Sequence, residues 1–273
     1  MDAIDFFSLL IPVTFFVMLA VEARWPARRF PTRRGWRWIG VGFLFLLAGA
    51  STLAPLLLPT QWLADHRLVD GSALGVVRGT IVGYIVLSLF NYLWHRSTHR
   101  FDTLWRGFHQ MHHSAQRIDI PGSVLFHPGD MLAYASLSVV VTTLVLGLDP
   151  VAAAAVGYIA AFYGMFQHWN VRTPAWLGYV IQRPEAHCVH HQRGVHNYNF
   201  ADLPIWDMLA GTFRNPPSWS GEAGFETDAS KRFGSMLVWR DVNRDDYGAG
   251  SRGMVGRADR PRATSLTAPA GAP

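Results

Sequence analysis

His109-Gln-Met-His112-His113 and His187-Cys-Val-His190-His191 repeat one five-residue pattern, and His95-Arg-Ser-Thr-His99 precedes both. On an α-helix, positions i, i+3 and i+4 project from one face, close enough for their side chains to meet at an ion. His95 with His99 therefore makes a pair, and each H-x-x-H-H box makes a triad. With 12 histidines among 273 residues, three fixed histidine positions arise by chance about 0.023 times per chain. Composition alone does not produce two boxes. Imidazole nitrogen suits iron, zinc, copper and nickel, so donor type does not choose the metal. Donor number narrows it. A zinc site takes three or four protein ligands, whereas the boxes together with His168, at the end of the last apolar run, offer enough nitrogens for two ions. Two irons in such a shell could activate O2 against an unactivated C–H bond, and alkyl chains and sterols offer such bonds inside a membrane. The single cysteine, Cys188, excludes an intramolecular disulfide framework and a cysteine-based metal cage. It reads as an inert small side chain.

Stepwise along the chain, the elements that must position these histidines are apolar helices. Half of the residues are hydrophobic, and they concentrate in the runs 4–21, 38–57, 74–93 and 131–166. The last is long enough to cross a bilayer twice, with a break at Gly147-Leu148-Asp149-Pro150, which gives roughly five spans. The first run lacks a basic leader and a small-residue cleavage site, so it reads as a membrane helix and not as a signal peptide. Net charge is +5, with Arg24, Arg28, Arg29, Arg33, Arg34 and Arg37 clustered between the first two runs. Arginines flanking spans mark the cytoplasmic side, and no nucleic-acid partner is expected. Alternation then places every clustered histidine on the cytoplasmic face and leaves His66 as an ordinary exposed residue on the other.

The expected fold is all-α: an integral membrane helical domain of about four to five transmembrane helices, with a cytoplasmic helical cap carrying the histidine cluster. Residues 1–72 supply N-terminal spans and the basic loop, 73–215 the histidine-bearing domain, and 216–273 a C-terminal extension, disordered from about 245. A metal transporter or metallochaperone is one alternative, but transport needs ligands deep within the spans, which are nearly free of ionisable residues apart from Arg78. A zinc-dependent membrane hydrolase is another, disfavoured by the excess of ligands and the lack of an H-E-x-x-H motif.

The segment from about 80 to 215 resembles the fatty acid hydroxylase and sterol desaturase superfamily of membrane non-haem di-iron oxygenases. The resemblance is carried by His95-x-x-x-His99, His109-x-x-His112-His113, Phe126-His127-Pro128-Gly129-Asp130, His168-Trp169-Asn170, His187-x-x-His190-His191, Asn197-Tyr198-Asn199 and Trp206-Asp207 through Gly211-Thr212. The Phe-His-Pro-x-Asp and Asn-Tyr-Asn segments look most like the sterol C5-desaturase branch. The resemblance implies two iron ions held by His95, His99, His109, His112, His113, His168, His187, His190 and His191. O2 is the implied co-substrate and a lipid the substrate: a sterol, hopanoid, carotenoid, fatty acyl or alkyl lipid, hydroxylated or desaturated. No flavin or haem domain and no G-x-G-x-x-G loop is visible, so electrons are expected from a separate cytochrome b5-like protein or a ferredoxin with its reductase. Relatives with ten histidine ligands carry another about one turn before the position of His168, where this chain has Gly164 and Phe166. His127 and His196 are candidates for a tenth ligand or a supporting role. Asn170, Asp102, Asp130, Asp202 and Asp207 are candidates to hold the far nitrogens of the ligating imidazoles, although Asp207 also suits a fold-closing turn.

Overall fold

Three helices of this chain begin at a proline, because a fixed φ and a missing N–H cost nothing in a first turn. His127, Asp149 and Arg183 stand before Pro128, Pro150 and Pro184 with ψ of 137, 138 and 154°, the extended backbone that a following proline imposes. Asp149 also accepts from the N–H groups of Val151 and Ala152 (2.8 and 3.3 Å), which fixes the start of a span at the break expected from the sequence.

The computed structural model describes residues 2–225 and 229–243; the C-terminal extension from 216 falls partly within them, and the tail expected to be disordered from about 245 lies outside them. The elements that matter are α1 (Ala3–Arg24), α2 (Trp36–Leu57), α3 (Gly75–Arg100), α4 (Gln110–His113), α5 (Pro128–Val139), α6 (Pro150–His168), α7 (Pro184–His190) and α8 (Ile205–Ala210). Strand pairing among the described residues is confined to one bridge between Gln192 and Ala223. A wider turn over Val140–Val145 prolongs α5. With that extension, and with the turn from Ser72 that leads into α3, five helices are long and apolar enough to cross a membrane. The protein is an all-α, multi-pass membrane protein.

α2 lies along α5, while α1 and α3 both lie along α6. Close approach of α3 to α6 rests on Gly83, where a Cβ would stand 2.7 Å from Val156 Cγ2; small residues let membrane helices pack in this way. Phe45, Leu56 and Val77 are 72, 76 and 72 % exposed. Such a surface is anomalous in water and ordinary against lipid. Beneath it, one apolar cluster joins Phe15 and Met18 of α1 to Leu44 of α2 and to Met165 and Phe166 of α6, directly under His168 in sequence.

The α5–α6 connection turns at Gly147, whose φ is +52°. A Cβ there would stand 2.6 Å from the Val69 carbonyl oxygen. Gly147→Ala is expected to destabilise the protein by at least the left-handed backbone cost of about 1–2 kcal/mol. Thermal unfolding in detergent, wild type against variant, checks this; an unchanged midpoint contradicts it.

Candidate metal centre

α3 ends with His95 and His99 on adjacent turns, α6 ends on His168, and the two boxes lie on α4 and α7 with their flanking residues. All nine histidines that the sequence nominated come together, buried, in two donor groups. His95, His99, His109, His113 and His190 form one; His112, His168, His187 and His191 form the other. Within each group, one atom per residue lies within 4.8 Å of all the others. Neither box acts as a triad on one ion. The i and i+4 members share a group and the i+3 member joins the opposite one, so His109 and His113 face His190, and His187 and His191 face His112.

Tautomers explain why the groups suit cations. His95 Nδ1 donates to Phe200 O (2.7 Å), His109 Nδ1 to Asp130 Oδ2 (2.8 Å), His112 Nδ1 to Leu125 O (3.3 Å), His168 Nδ1 to Gly164 O (2.7 Å) and His190 Nδ1 to Tyr198 O (2.8 Å). A neutral imidazole carries one proton, so each of these five Nε2 atoms presents a lone pair. His168 Nε2 nevertheless lies 3.0, 3.2 and 3.2 Å from the Nε2 atoms of His112, His191 and His187, and His190 Nε2 lies 3.1 Å from that of His113. The Nε2 lone pairs of His112 and His168, face to face at 3.0 Å, repel unless a positive ion lies between them. Two nitrogens bound about 2.1 Å from one ion at a right angle stand about 3.0 Å apart, so these spacings fit metal coordination. The Nε2 atoms of His95, His99 and His109 are buried without a hydrogen-bond partner among the described residues, as ligand atoms awaiting an ion would be. Burial, reinforced by neighbouring imidazoles, holds His112, His113, His187, His190 and His191 well below the usual imidazole pKa, which keeps them in the neutral form that ligates.

Asp130, fully buried, accepts both from His109 and from Trp94 Nε1 (3.0 Å), as a carboxylate holding a metal ligand should. Asp207 works one step further out. Its carboxylate accepts from Phe200 N and Ala201 N (3.1 and 2.8 Å) and so fixes the carbonyl that receives His95. Asp202 is joined to Gln167, beside His168, by a 3.0 Å hydrogen bond, and burial raises its pKa to about 6. Asn170 pairs with the backbone of Arg28, and Asp102 with Arg106, so neither reaches an imidazole of the cluster. His127 caps α5 by accepting from Gly129 N (3.0 Å) and joins neither donor group. His196 lies against the cluster, its ring 5.0 Å from that of His113 and its Nδ1 3.3 Å from His190 O, also outside both groups. Cys188 is fully buried, with its thiol pushed up to about 12 by burial, which disfavours the reactive thiolate.

Sequence reasoning passed over the residues that aim the boxes. Arg183, with no exposed surface, pairs with Glu185 (3.1 Å) and donates to Thr173 O, Asn215 Oδ1 and Pro216 O, locking the start of α7. Glu22, at the end of α1, accepts from Ile120 N and Asn170 N (3.1 and 3.2 Å) and pins the segments that follow His113 and His168. No local pattern marks either residue, because most of their partners are distant in sequence.

Asp130→Asn should lower metal affinity about 10–100-fold with little change in helix content, measured by metal titration of the stripped protein. Arg183→Ala, which takes one cation from the buried Arg28–Glu185–Arg183 cluster and the donor from Thr173 O, Thr173 Oγ1, Asn215 Oδ1 and Pro216 O, should cost about 3–5 kcal/mol and show as lost folded yield. Wild-type behaviour of either variant would remove the role assigned to that residue.

Residues 80–212 match the fatty acid hydroxylase family. The chain is 32% identical over 211 residues to ornithine lipid hydroxylase OlsE of Rhizobium tropici, covering 72% of this chain and 59% of that protein. It is 27% identical over 171 residues to sphinganine C4-monooxygenase 1 of Arabidopsis thaliana, covering 59% of this chain and 64% of the relative. It is also 27% identical over 143 residues to a very-long-chain aldehyde decarbonylase, GL1-9, of Oryza sativa, covering 48% of this chain and 53% of the relative. None of these three carries a sterol desaturase name, and the chain spans less than two thirds of the length of each. No solved structure gives a significant match. The segment that holds all nine clustered histidines is a match to the fatty acid hydroxylase family, in agreement with the resemblance to the fatty acid hydroxylase and sterol desaturase superfamily.

Proposed function

We propose that the protein is an O2-dependent di-iron oxidoreductase that hydroxylates a C–H bond of a long-chain membrane lipid. The observation that carries the reading is the division of nine buried imidazoles into two donor groups at one end of an apolar helix bundle. Imidazole does not by itself select iron over zinc or copper; the kinship with lipid hydroxylases supports iron, and favours hydroxylation over desaturation. Iron bound there would supply activation of O2 and abstraction of hydrogen from the lipid chain. The residues of the chain hold the site in place and keep it dry. His95, His99, His109, His113 and His190 would hold one ion, and His112, His168, His187 and His191 the other. The second group has one donor fewer, and it contains His168, whose neighbouring turn carries no further histidine. Asp130 keeps the proton of His109 on Nδ1 and its lone pair inward. Phe126 stacks on His112 at 4.0 Å and 7°, covering that ring with an apolar face.

Position supports the substrate class. Of the donors, His95, His99 and His168 lie toward the ends of α3 and α6 and the rest on the boxes outside the spans, which counts against transport and supports oxidation of a carbon near the lipid head group. By the arginine distribution this end is the cytoplasmic one. Electrons would arrive there from a separate cytochrome b5-like protein or a ferredoxin with its reductase.

The test is metal analysis joined to lipid turnover. Iron-loaded protein should hold about two irons per chain, and with O2 and a reductant it should add one oxygen atom to a long-chain lipid. His112→Ala and His113→Ala, one from each donor group, should each abolish that mass gain. Fewer than about one iron per chain, or undiminished turnover in either variant, would falsify the proposal.

A further inference from the structure

Outside the five spans, two short elements of the cap expose apolar side chains side by side. On α8, Ile205, Met208 and Leu209 are 51, 38 and 75 % exposed, and their i, i+3, i+4 spacing makes them one stripe. On the turn Ala175–Tyr179 and the residue after it, Trp176, Tyr179 and Val180 are 66, 65 and 60 % exposed. The Tyr179 ring lies 5.8 Å from that of Phe213, which follows α8 closely, so the two elements are neighbours.

The opposite side of α8 fixes its depth. Trp206 Nε1 donates to Ser88 Oγ (2.9 Å), and Trp206 packs on the cluster around Tyr92 and Leu89. Ser88 lies within the apolar run of α3, twelve residues before Arg100, which at the rise of an α-helix is about 18 Å along the axis. An element bonded there stands beside lipid, and its outward stripe continues the lipid-facing surface of α3, where Ile81 and Ile85 are 56 and 46 % exposed. Amphipathic elements with tryptophan and leucine on the apolar face lie in this position at a bilayer boundary.

We propose that α8 and the Ala175–Tyr179 turn form a foot seated in the leaflet on the histidine side, with lipid chains as the partner of their exposed apolar face. The foot is tied to the metal centre. Asp207, on α8, holds the Phe200–Ala201 backbone, and Phe200 O receives the Nδ1 proton of His95. The membrane surface thereby bears on the backbone that orients a ligand.

Site-directed spin labelling of the full chain in phospholipid vesicles tests this. Leu209→Cys and Trp176→Cys are labelled separately, with Glu222→Cys, whose side chain is 76 % exposed, as the water-facing reference. Cys188 is fully buried and serves, in the unsubstituted protein, as the blank. At both foot positions, collisions with a water-soluble nickel complex should be several-fold rarer than at Glu222, and collisions with oxygen more frequent. Nickel access equal to that at Glu222 would mean a foot in water and overturn the proposal. Shielding from both reagents would mean that a second copy or another protein covers the face, and would overturn it equally.

Discussion

Neutral imidazoles packed with their lone pairs toward one another, in an interior from which water is excluded, are the constraint on which this structure turns. Each ring has one proton to give. At His95, His109, His112, His168 and His190 it is given outward, to Phe200 O, Asp130, Leu125 O, Gly164 O and Tyr198 O. What remains inward is a set of acceptors, and between His112 and His168 acceptor faces acceptor at 3.0 Å, a contact that buried polar groups avoid unless a cation relieves it. The five outward acceptors therefore decide what the centre can bind, and each must be held rigidly for the aim to persist.

That rigidity comes from polar loops, while the apolar bundle supplies only depth. Asn199, itself in a left-handed conformation at φ 57°, donates to Ala186 O and Arg214 O and accepts from Arg214 N, and so ties the stretch carrying Tyr198 and Phe200 to α7. Asp207 clamps the next two peptides. Arg183, Glu185 and Arg28 form a buried ion cluster under the start of α7. A buried ion pair is weak evidence for net stability, since desolvation offsets most of its attraction. A unique orientation for α7 is what such a cluster provides here, because only one placement of the helix leaves none of its charges unpaired.

Much of this was legible in the sequence, for local reasons. Span lengths follow from uninterrupted apolar runs, the break before α6 follows from Asp149-Pro150, eight of the nine histidines declare themselves by helical spacing, and His168 by its place at the end of an apolar run. Asp130 was legible too, because it stands three residues after His127 in a motif already noted. The division of the boxes was not. Spacing by i, i+3 and i+4 says that three side chains share a face; it does not say that the face looks between two donor groups. Nor was the role of His127 open to inspection: a histidine before Pro128 serves equally as a cap or as a ligand until the fold places it. Glu22 and Arg183 were illegible for a third reason, since their partners, at Ile120 and Asn170 in one case and at Asn215 and Pro216 in the other, are set by tertiary structure alone.

The crossing of the boxes makes the two donor groups one structure. Because adjacent residues, His112 with His113 and His190 with His191, go to opposite groups, α4 and α7 each stand between the two sites and serve both. The rings confirm the contact: His113 of one group stacks on His191 of the other at 4.2 Å and 16°. A shift of either helix that improved one group would have to disturb the other, so the two sites cannot be tuned or emptied independently. Two ions held by these groups, as proposed, would share two box helices and one stacked pair of rings. Each donor group takes histidines from both boxes, which is why neither box would have sufficed alone.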